Sequence, residues 1–494
     1  MLTRLRVSGF KNLVDVDVSF GPFTCIAGPN ASGKSNLFDA IAFLSFLADR
    51  PLIDAASAIR GESGKATEVR SLFHRVGSHI ADHMEFEAEM IIPTSGTDDL
   101  GQVANATTTF LRYKLVLAYR DANDPDALSE LEITEETLDR ILIGDASKHL
   151  RFDHSPTWRK SAVRGQRGKA FISTEDEGGR TVVKIHQDQR GGRTRILLAN
   201  RLPRTALSSS TAAETPTALL ARREMQSWRE LQLEPSALRE PDPYRAPAIL
   251  GTDGRHLAAT VSYLAEMQER DYEGGEKDFL AQLANRLATL IQDVRTVSID
   301  RDAKRELVTL AVEDRLDTRH PARALSDGTL RFLALSVIEA DPRFGGVLCL
   351  EEPENGIHPD RIKPMLSLLH DIAVNTQESV GAENPLRQVI VNTHSPGVVG
   401  QIKDDELLVS VPIISRNGIG QYTRAAFRWL SNTWRNRTWP DIPTISRGAL
   451  LAYLNPYTEE VEVEESGFSQ SGFPPRPRVI DREDIRQLRL PLAV

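Results

Sequence analysis

Cysteine is scarce in this chain, long apolar runs are missing and positive charge is not in excess. Each shortage removes a class of protein. Two cysteines in 494 residues cannot build the disulfide framework of a small secreted scaffold. Both, Cys25 and Cys349, stand inside apolar strand-like runs, so they read as buried thiols in a reducing compartment. No apolar run approaches the roughly 18 residues that a membrane span needs, and no charged-then-apolar leader opens the chain. The expectation is a cytoplasmic protein without membrane contact. Lys and Arg number 60 against 69 Asp and Glu, a net charge of -9, so no global basic field advertises nucleic acid and any such contact must be local. A chain this long can bury a sizeable core and holds about two or three domains or lobes.

What is present is concentrated in a few stretches. Residues 23–27 read as a short buried strand, followed by the loop Gly28, Pro29, Asn30, Ala31, Ser32, Gly33, Lys34, Ser35 and a helix over 34–49 with apolar Leu37, Ile41, Leu44 and Leu47 at helical spacing. A glycine-rich loop between strand and helix turns backbone N–H groups onto phosphates; its lysine reaches the β and γ oxygens and its hydroxyl, here Ser35, meets Mg²⁺. Ahead of it, residues 2–8 and 14–20 alternate about a turn containing Lys11, an opening hairpin. Far downstream an apolar strand over 346–350 delivers Glu351 and Glu352 to its C-terminal end, where open α/β sheets bind their ligands. Such a pair needs two roles: one acid, Glu351, holds the cation, and the other, Glu352, orients and polarises a water. Just upstream, Ser326, Asp327 and Gly328 open a helix, and a strand over 388–391 leads into Asn392, Thr393 and His394.

The middle and the end are less legible. Residues 84–92 and 110–119 read as strands of an antiparallel lobe, and 122–126 and 208–217 as loops. Between Arg151 and Arg204 thirteen Lys or Arg face five Asp or Glu, several beside or near glycine: Arg164, Arg167, Lys169, Arg190, Arg193 and Arg195. That composition suits contact with a phosphate backbone, of DNA or another nucleic acid, or a solvated hairpin. Residues 263–268 and 279–294 read as helices, the second carrying the stripe Leu283, Leu287, Leu290 and Val294. Strands are expected over 296–299, 307–312 and 406–411, and a helix over 361–373. Beyond Phe427, Trp429, Trp434 and Trp439 stand among arginines, the composition of a partner surface, a single-strand stacking platform or a hydrophobic cover. Residues 458–477, acidic and then rich in Gly, Ser and Pro, predict a flexible tail, and 481–492 docks back or onto a partner.

Lys11, the Gly28 to Ser35 loop, Leu325 with Ser326, Asp327 and Gly328, the run VLCLEEPENGIHP at 347–359, and Asn392, Thr393 and His394 together resemble the ABC-type ATPases of the RecF, SMC and OLD group. The resemblance covers residues 1–50 and 250–411, not the middle. It implies an α/β fold: an ABC-type P-loop ATPase head (a mixed sheet with flanking helices plus an antiparallel β lobe) from residues 1–50 and 250–427. It leaves an inserted α+β region at 51–249 and a Trp/Arg-rich segment with a C-terminal tail at 428–494. ATP and Mg²⁺ are the implied cofactors. Lys34, Glu352 and His394 would be catalytic, the loop with Asn36 and Lys11 would contact the nucleotide, and Ser35 and Glu351 would hold the cation. Ser326, Asp327 and Gly328 would form the signature turn, which in this group acts on nucleotide held by a second subunit, so a homo-oligomer of at least two copies is implied. Glu351 departs from the more usual Asp, and the family's glutamine loop has no evident counterpart.

The attachments narrow the comparison. Lys34 and Ser326 lie about 290 residues apart, far more than in a transporter motor, and no heptad repeat runs through 51–248 as in SMC arms. About a hundred residues follow His394, with no Asp-x-Asp constellation of a built-in nuclease. The remaining architecture is a stand-alone OLD/RecF-like ATPase, which by analogy serves as sensor or scaffold for a separate effector, a nuclease or toxin, in anti-phage defence. Two other readings stand beside it: a RecF-like repair ATPase clamping DNA with residues 151–204, and a non-hydrolysing ATP-bound scaffold.

Overall fold

The strands Phe23–Ala27, Gly346–Glu351 and Arg387–Thr393 are apolar on both faces, and such strands need cover on both. In the computed structural model, which describes residues 1–59, 69–120, 130–165, 167–188, 192–291 and 293–454, they lie side by side. The six-stranded sheet runs Arg229–Leu231, Gly346–Glu351, Arg387–Thr393, Phe23–Ala27, Leu407–Arg416, Gln421–Arg428. The first five are parallel and the last is antiparallel. One face, with Ile26, Cys349, Ile390 and Leu408, packs in the same core as the helix Lys34–Leu47. The other, with Cys25, Leu348, Leu350 and Val391, packs with the helices Asp327–Ala340 and Ile362–Ile372. Both cysteines are free and buried, as their apolar settings predict.

An antiparallel eight-stranded sheet covers the far side of the helix Lys34–Leu47. Its order is Arg195–Leu198, Thr181–Ile185, Ile172–Asp176, Leu131–Arg140, Phe110–Tyr119, His83–Ile91, Leu2–Ser8, Val16–Ser19. The opening hairpin therefore shares a sheet with strands from the 51–249 stretch. Phe10, Phe43 and Phe86 join helix to sheet, with ring centroids 5.5 to 5.9 Å apart. Lying between two sheets, the helix is apolar nearly all round, which is why Phe38, Ala40 and Phe43 are buried outside its expected stripe.

One expectation is corrected. The helix expected over 279–294 is Gly275–Ala288; Leu290 sits in a tight turn and Val294 opens the strand Val294–Asp302. The β-branched Val294, Thr296 and Val297 favour the extended chain, and their side chains merely continue a helical spacing by coincidence. For the tryptophan segment the structure supports the cover: Trp429 and Trp434 are buried and Arg435 is 1% exposed, while Trp439 is half-buried. Arg435 donates to the carbonyls of Ser19 (3.1 Å) and Asp405 (2.7 Å) and to Thr24 Oγ1 (3.4 Å), while Trp434 Nε1 donates to Asp405 O at 3.0 Å. These bonds tie the segment to Ser19 of the eight-stranded sheet and to Thr24 and Asp405 of the six-stranded region, as cover. The helix Pro216–Gln226 begins within the last residues of the loop expected at 208–217. The expectations for 122–126, Arg190, 458–477 and 481–492 lie outside the described residues. Among the described residues, no helix is long and apolar enough to cross a membrane.

Candidate functional site

The strand Phe23–Ala27 hands the chain to the loop at Gly28, whose N–H donates to Thr393 O at 3.3 Å. A Cβ at Gly28 would meet Ser410 O at 2.5 Å, and one at Gly33 would meet Ala425 Cβ at 2.5 Å, with φ already at +102°. Only glycine fits at either position, so the loop curls tightly and aims the first amides of the helix Lys34–Leu47 into a cavity of about 400 Å³. Residues 30–36, Glu351, Glu352 and Asn392 line that cavity. Lys34 is buried and its Nζ donates to the carbonyls of Gly28 (2.7 Å) and Pro29 (2.8 Å). Burial lowers its pKa, with Glu352, Glu351 and Glu354 acting in the other direction. Ser32 Oγ is buried with no hydrogen-bond partner among the described residues.

The acids reach the same cavity from the next-but-one strand. Glu351 stands opposite Asn392 in the parallel register of their strands. Asn392, 2% exposed, spans both acids: its Nδ2 donates to Glu351 Oε1 at 3.1 Å, and its Oδ1 accepts the N–H of Glu352, also at 3.1 Å. Glu352 has φ of +46°, a left-handed conformation that costs a non-glycine residue about 1–2 kcal/mol and turns the chain sharply after the strand. Its side chain is held from two sides. His394 Nδ1 lies 2.6 Å from Oε1, and Asn355 Nδ2 donates to Oε2 at 2.7 Å. Thr393 Oγ1 donates to Glu354 Oε1, and burial raises the Glu354 pKa.

Lys34, Ser35, Glu351 and Glu352 thus line one cavity, and His394 is joined to it through Glu352. Lys11 stands apart from its lining: it has φ of +49° and its Nζ is paired with the buried Asp39 at 2.8 Å. Its neighbour Asn12 is closer, accepting from Asn36 Nδ2 at 2.8 Å. The signature residues also lie outside the cavity of their own chain. Ser326 caps the helix Asp327–Ala340, its Oγ accepting from Thr329 N at 3.3 Å; Asp327 pairs with Arg239; and a Cβ at Gly328 would meet Gly356 O at 2.7 Å.

One neighbour of the site gave no signal in the sequence. The strand Arg229–Leu231 pairs in parallel with Gly346–Glu351, Leu231 opposite Leu350, so Gln232 follows at the level of Glu351. Gln232, Arg331 and Asn355 line a smaller cavity, about 260 Å³, together with Glu351 and Glu352. A three-residue strand carries no periodicity, and a lone glutamine after it cannot be told from any other. The basic stretch, by contrast, lies at the far edge of the eight-stranded sheet, where Arg167, Lys169, Arg193 and Arg195 are exposed.

The site suits a nucleotide triphosphate with Mg²⁺. The loop amides, the Lys34 ammonium and the unpartnered Ser32 hydroxyl are donors for phosphate oxygens. Among the described residues no group of three or more His, Cys, Asp or Glu gathers as a metal cage. Ser35 with one carboxylate is the sparse ligand set by which Mg²⁺ is held alongside phosphates and water. The family model described as "AAA domain, putative AbiEii toxin, Type IV TA system" matches residues 23–140 and 148–400, from the strand before the loop to just beyond His394. An "OLD nuclease" of Thermus scotoductus (strain ATCC 700910 / SA-01) is 49% identical over 41 residues, which are 8% of this chain and 8% of that protein. The chain therefore aligns with under a tenth of that relative's length. Among solved structures, the SMC head bound to the C-winged helix domain of ScpA is similar over 87% of this chain and 98% of that one, at 13% identity and a TM-score of 0.44. The SMC head domain from Thermotoga maritima is similar over 87% and 99%, at 11% identity and a TM-score of 0.35.

Proposed function

The chain belongs to this AAA-domain family of P-loop ATPases, and from that premise we propose that it binds ATP with Mg²⁺ and hydrolyses it, in an assembly of at least two copies. The observation that carries the reading is the Glu352 and His394 pair at 2.6 Å, Glu352 lining the same cavity as Lys34 and Ser35. Bound ATP and Mg²⁺ would supply the electrophilic γ-phosphoryl group and the charge that neutralises it. Lys34 then exchanges the carbonyls of Gly28 and Pro29 for phosphate oxygens, and the loop amides orient the chain of phosphates. Ser35 and Glu351 hold the cation side. Glu352 orients an attacking water and accepts its proton at a carboxylate oxygen, while His394 fixes that carboxylate. Gln232, beside Glu351, takes the place of the glutamine that links the cation side to the rest of the head.

The signature turn lies outside its own chain's cavity, so Ser326, Asp327 and Gly328 serve the nucleotide of a second copy, the two heads closing on ATP between them. The helix beginning at Asp327 would aim its N-terminal amides at that phosphate. This ATP-dependent closure is the state read by a separate effector, a nuclease or toxin, for which the chain is sensor or scaffold in anti-phage defence; the family's description as part of a toxin system supports that reading. A second reading, a clamp on DNA, draws on the exposed arginines at the edge of the eight-stranded sheet.

The test compares parent and Glu352→Gln in ATP turnover and in mass with and without ATP and Mg²⁺, alone and co-expressed with the neighbouring reading frame. Glu352→Gln is expected to lower turnover about a hundredfold or more and to hold an ATP-dependent dimer. Turnover at the parental rate overturns the role of Glu352. A dimer that ignores the neighbour's product and binds DNA moves the second reading ahead.

A further inference from the structure

At the other end of the six-stranded sheet, where Gly346–Glu351 and Arg387–Thr393 begin, lies a second cavity of about 430 Å³. Five residue steps of strand, about 17 Å, separate Gly346 in its lining from Glu351. Four arginines line it: Arg164, Arg223, Arg229 and Arg343. Arg343 is neutralised, donating from Nε (2.9 Å) and Nη2 (2.8 Å) to the two oxygens of Asp341. Arg223 reaches the exposed Asp99 through Nη2 at 2.6 Å and Gln226 Oε1 through Nη1 at 3.3 Å, but its Nε is buried with no partner among the described residues. Arg229 is half-buried, and among the described residues its guanidinium has neither a hydrogen bond nor an ion pair; it lies 5.0 Å from the Phe344 ring centroid. Burial lowers its pKa, with Asp341 opposing. Arg164 is exposed at the rim. The one acid in the lining, Glu224, is already bound to the Met1 amine and to the Trp228 indole N–H at 3.0 Å.

A half-buried arginine whose guanidinium has no carboxylate or carbonyl acceptor is free to take an anion that enters the cavity. Two guanidinium groups with unmet donors and a third at the rim, converging from three segments, match a phosphate, which offers several oxygens and up to two charges. The remaining wall is mostly apolar, with Ile92, Ala162, Phe344, Val380 and Leu386 beside the hydroxyls of Thr94, Ser161 and Ser227, and the volume is that of a small-molecule site. We propose that this cavity is a second ligand site, separate from the phosphate loop, for a small phosphorylated molecule of mononucleotide size, its phosphate on Arg229, Arg223 and Arg164 and its organic part against Phe344 and the apolar wall.

The test titrates full-length Lys34→Ala protein, whose phosphate loop is disabled, with inorganic pyrophosphate and with AMP in a calorimeter. Saturable binding at one site per chain is expected, weakened about tenfold or more by Arg229→Gln or Arg223→Gln and less by Arg164→Gln. Arg229→Gln breaks no hydrogen bond or ion pair among the described residues, so the ligand-free variant is expected to melt close to its parent, which separates lost binding from lost fold. Absence of saturable binding of both probes at millimolar concentration overturns the proposal, as does binding that Arg229→Gln and Arg223→Gln leave unchanged. Binding of a single-stranded oligonucleotide through Arg229 in place of either probe also overturns it and assigns the cavity to nucleic acid.

Discussion

Asn392→Ala is the sharpest probe of the site because one side chain positions both acids. The substitution removes the 3.1 Å bond to Glu351 Oε1, a hydrogen bond to a carboxylate worth about 1.5–3 kcal/mol. It also removes one of two acceptors of the Glu352 N–H, the other being Asn392's own carbonyl at 3.1 Å, so that loss is about 0.5 kcal/mol or less. Glu352 keeps its left-handed backbone only while its surroundings impose it. Together about 2 kcal/mol of positioning is withdrawn; at 1.36 kcal/mol per decade this is a fall of about thirtyfold in kcat if all of it appears at the barrier. Asn392 makes no contact with Lys34 or with residues 28–30 in the hydrogen-bond network, so nucleotide affinity is expected to change less than about threefold. The assay is steady-state ATP turnover beside equilibrium binding of a non-hydrolysable ATP analogue. Unchanged kcat, or a loss of affinity as large as the loss of kcat, would refute the reasoning.

Two further predictions concern the frame. Glu89, 1% exposed, is drawn upward by burial but held down to about 2 by His149, Arg4 and Arg112, from the ordinary 4.5. Its folded-state pKa is depressed, so its contribution is complete above about pH 5 and is lost as pH falls toward 2, at most about 3 kcal/mol; urea unfolding across that window should show the slope, Glu89→Gln should flatten it, and an equal slope in the variant rejects the assignment. Arg435→Met takes its donor from the Ser19 carbonyl and leaves Asp405 O with the Trp434 indole N–H alone, and should destabilise the protein by about 1–3 kcal/mol; a variant as stable as the parent in the same unfolding assay would mean that the tryptophan segment is not held through this side chain.

The chemistry-bearing stretches were legible because their constraints are local. The two glycines, the lysine and the flanking strand and helix between Phe23 and Leu47 are dictated by backbone geometry within a dozen residues, and the doubly buried strands announce themselves by apolar runs. What failed to show depends on distant partners. Arg229–Leu231 is a strand only because Leu348 to Leu350 lies beside it, and Gln232 acquires its position from that pairing. Arg435 is interior because backbone carbonyls from residues 19 and 405 satisfy its guanidinium, and no composition rule separates such an arginine from a surface one. The stripe ending at Val294 misled for the opposite reason: helix and strand bury a residue equally well, and spacing alone does not say which.

The strand that carries the phosphate loop is made early and completed late. Phe23–Ala27 lies between Arg387–Thr393 and Leu407–Arg416, so both of its neighbours arrive some 360 or more residues after it. At ribosomal speed the interval is on the order of a minute, during which Gly28 lacks the Thr393 carbonyl and the Ser410 backbone that shape its turn. A nascent or truncated chain ending before Leu407 therefore has the motif but not the pocket, and nucleotide binding becomes a report that synthesis has passed that point.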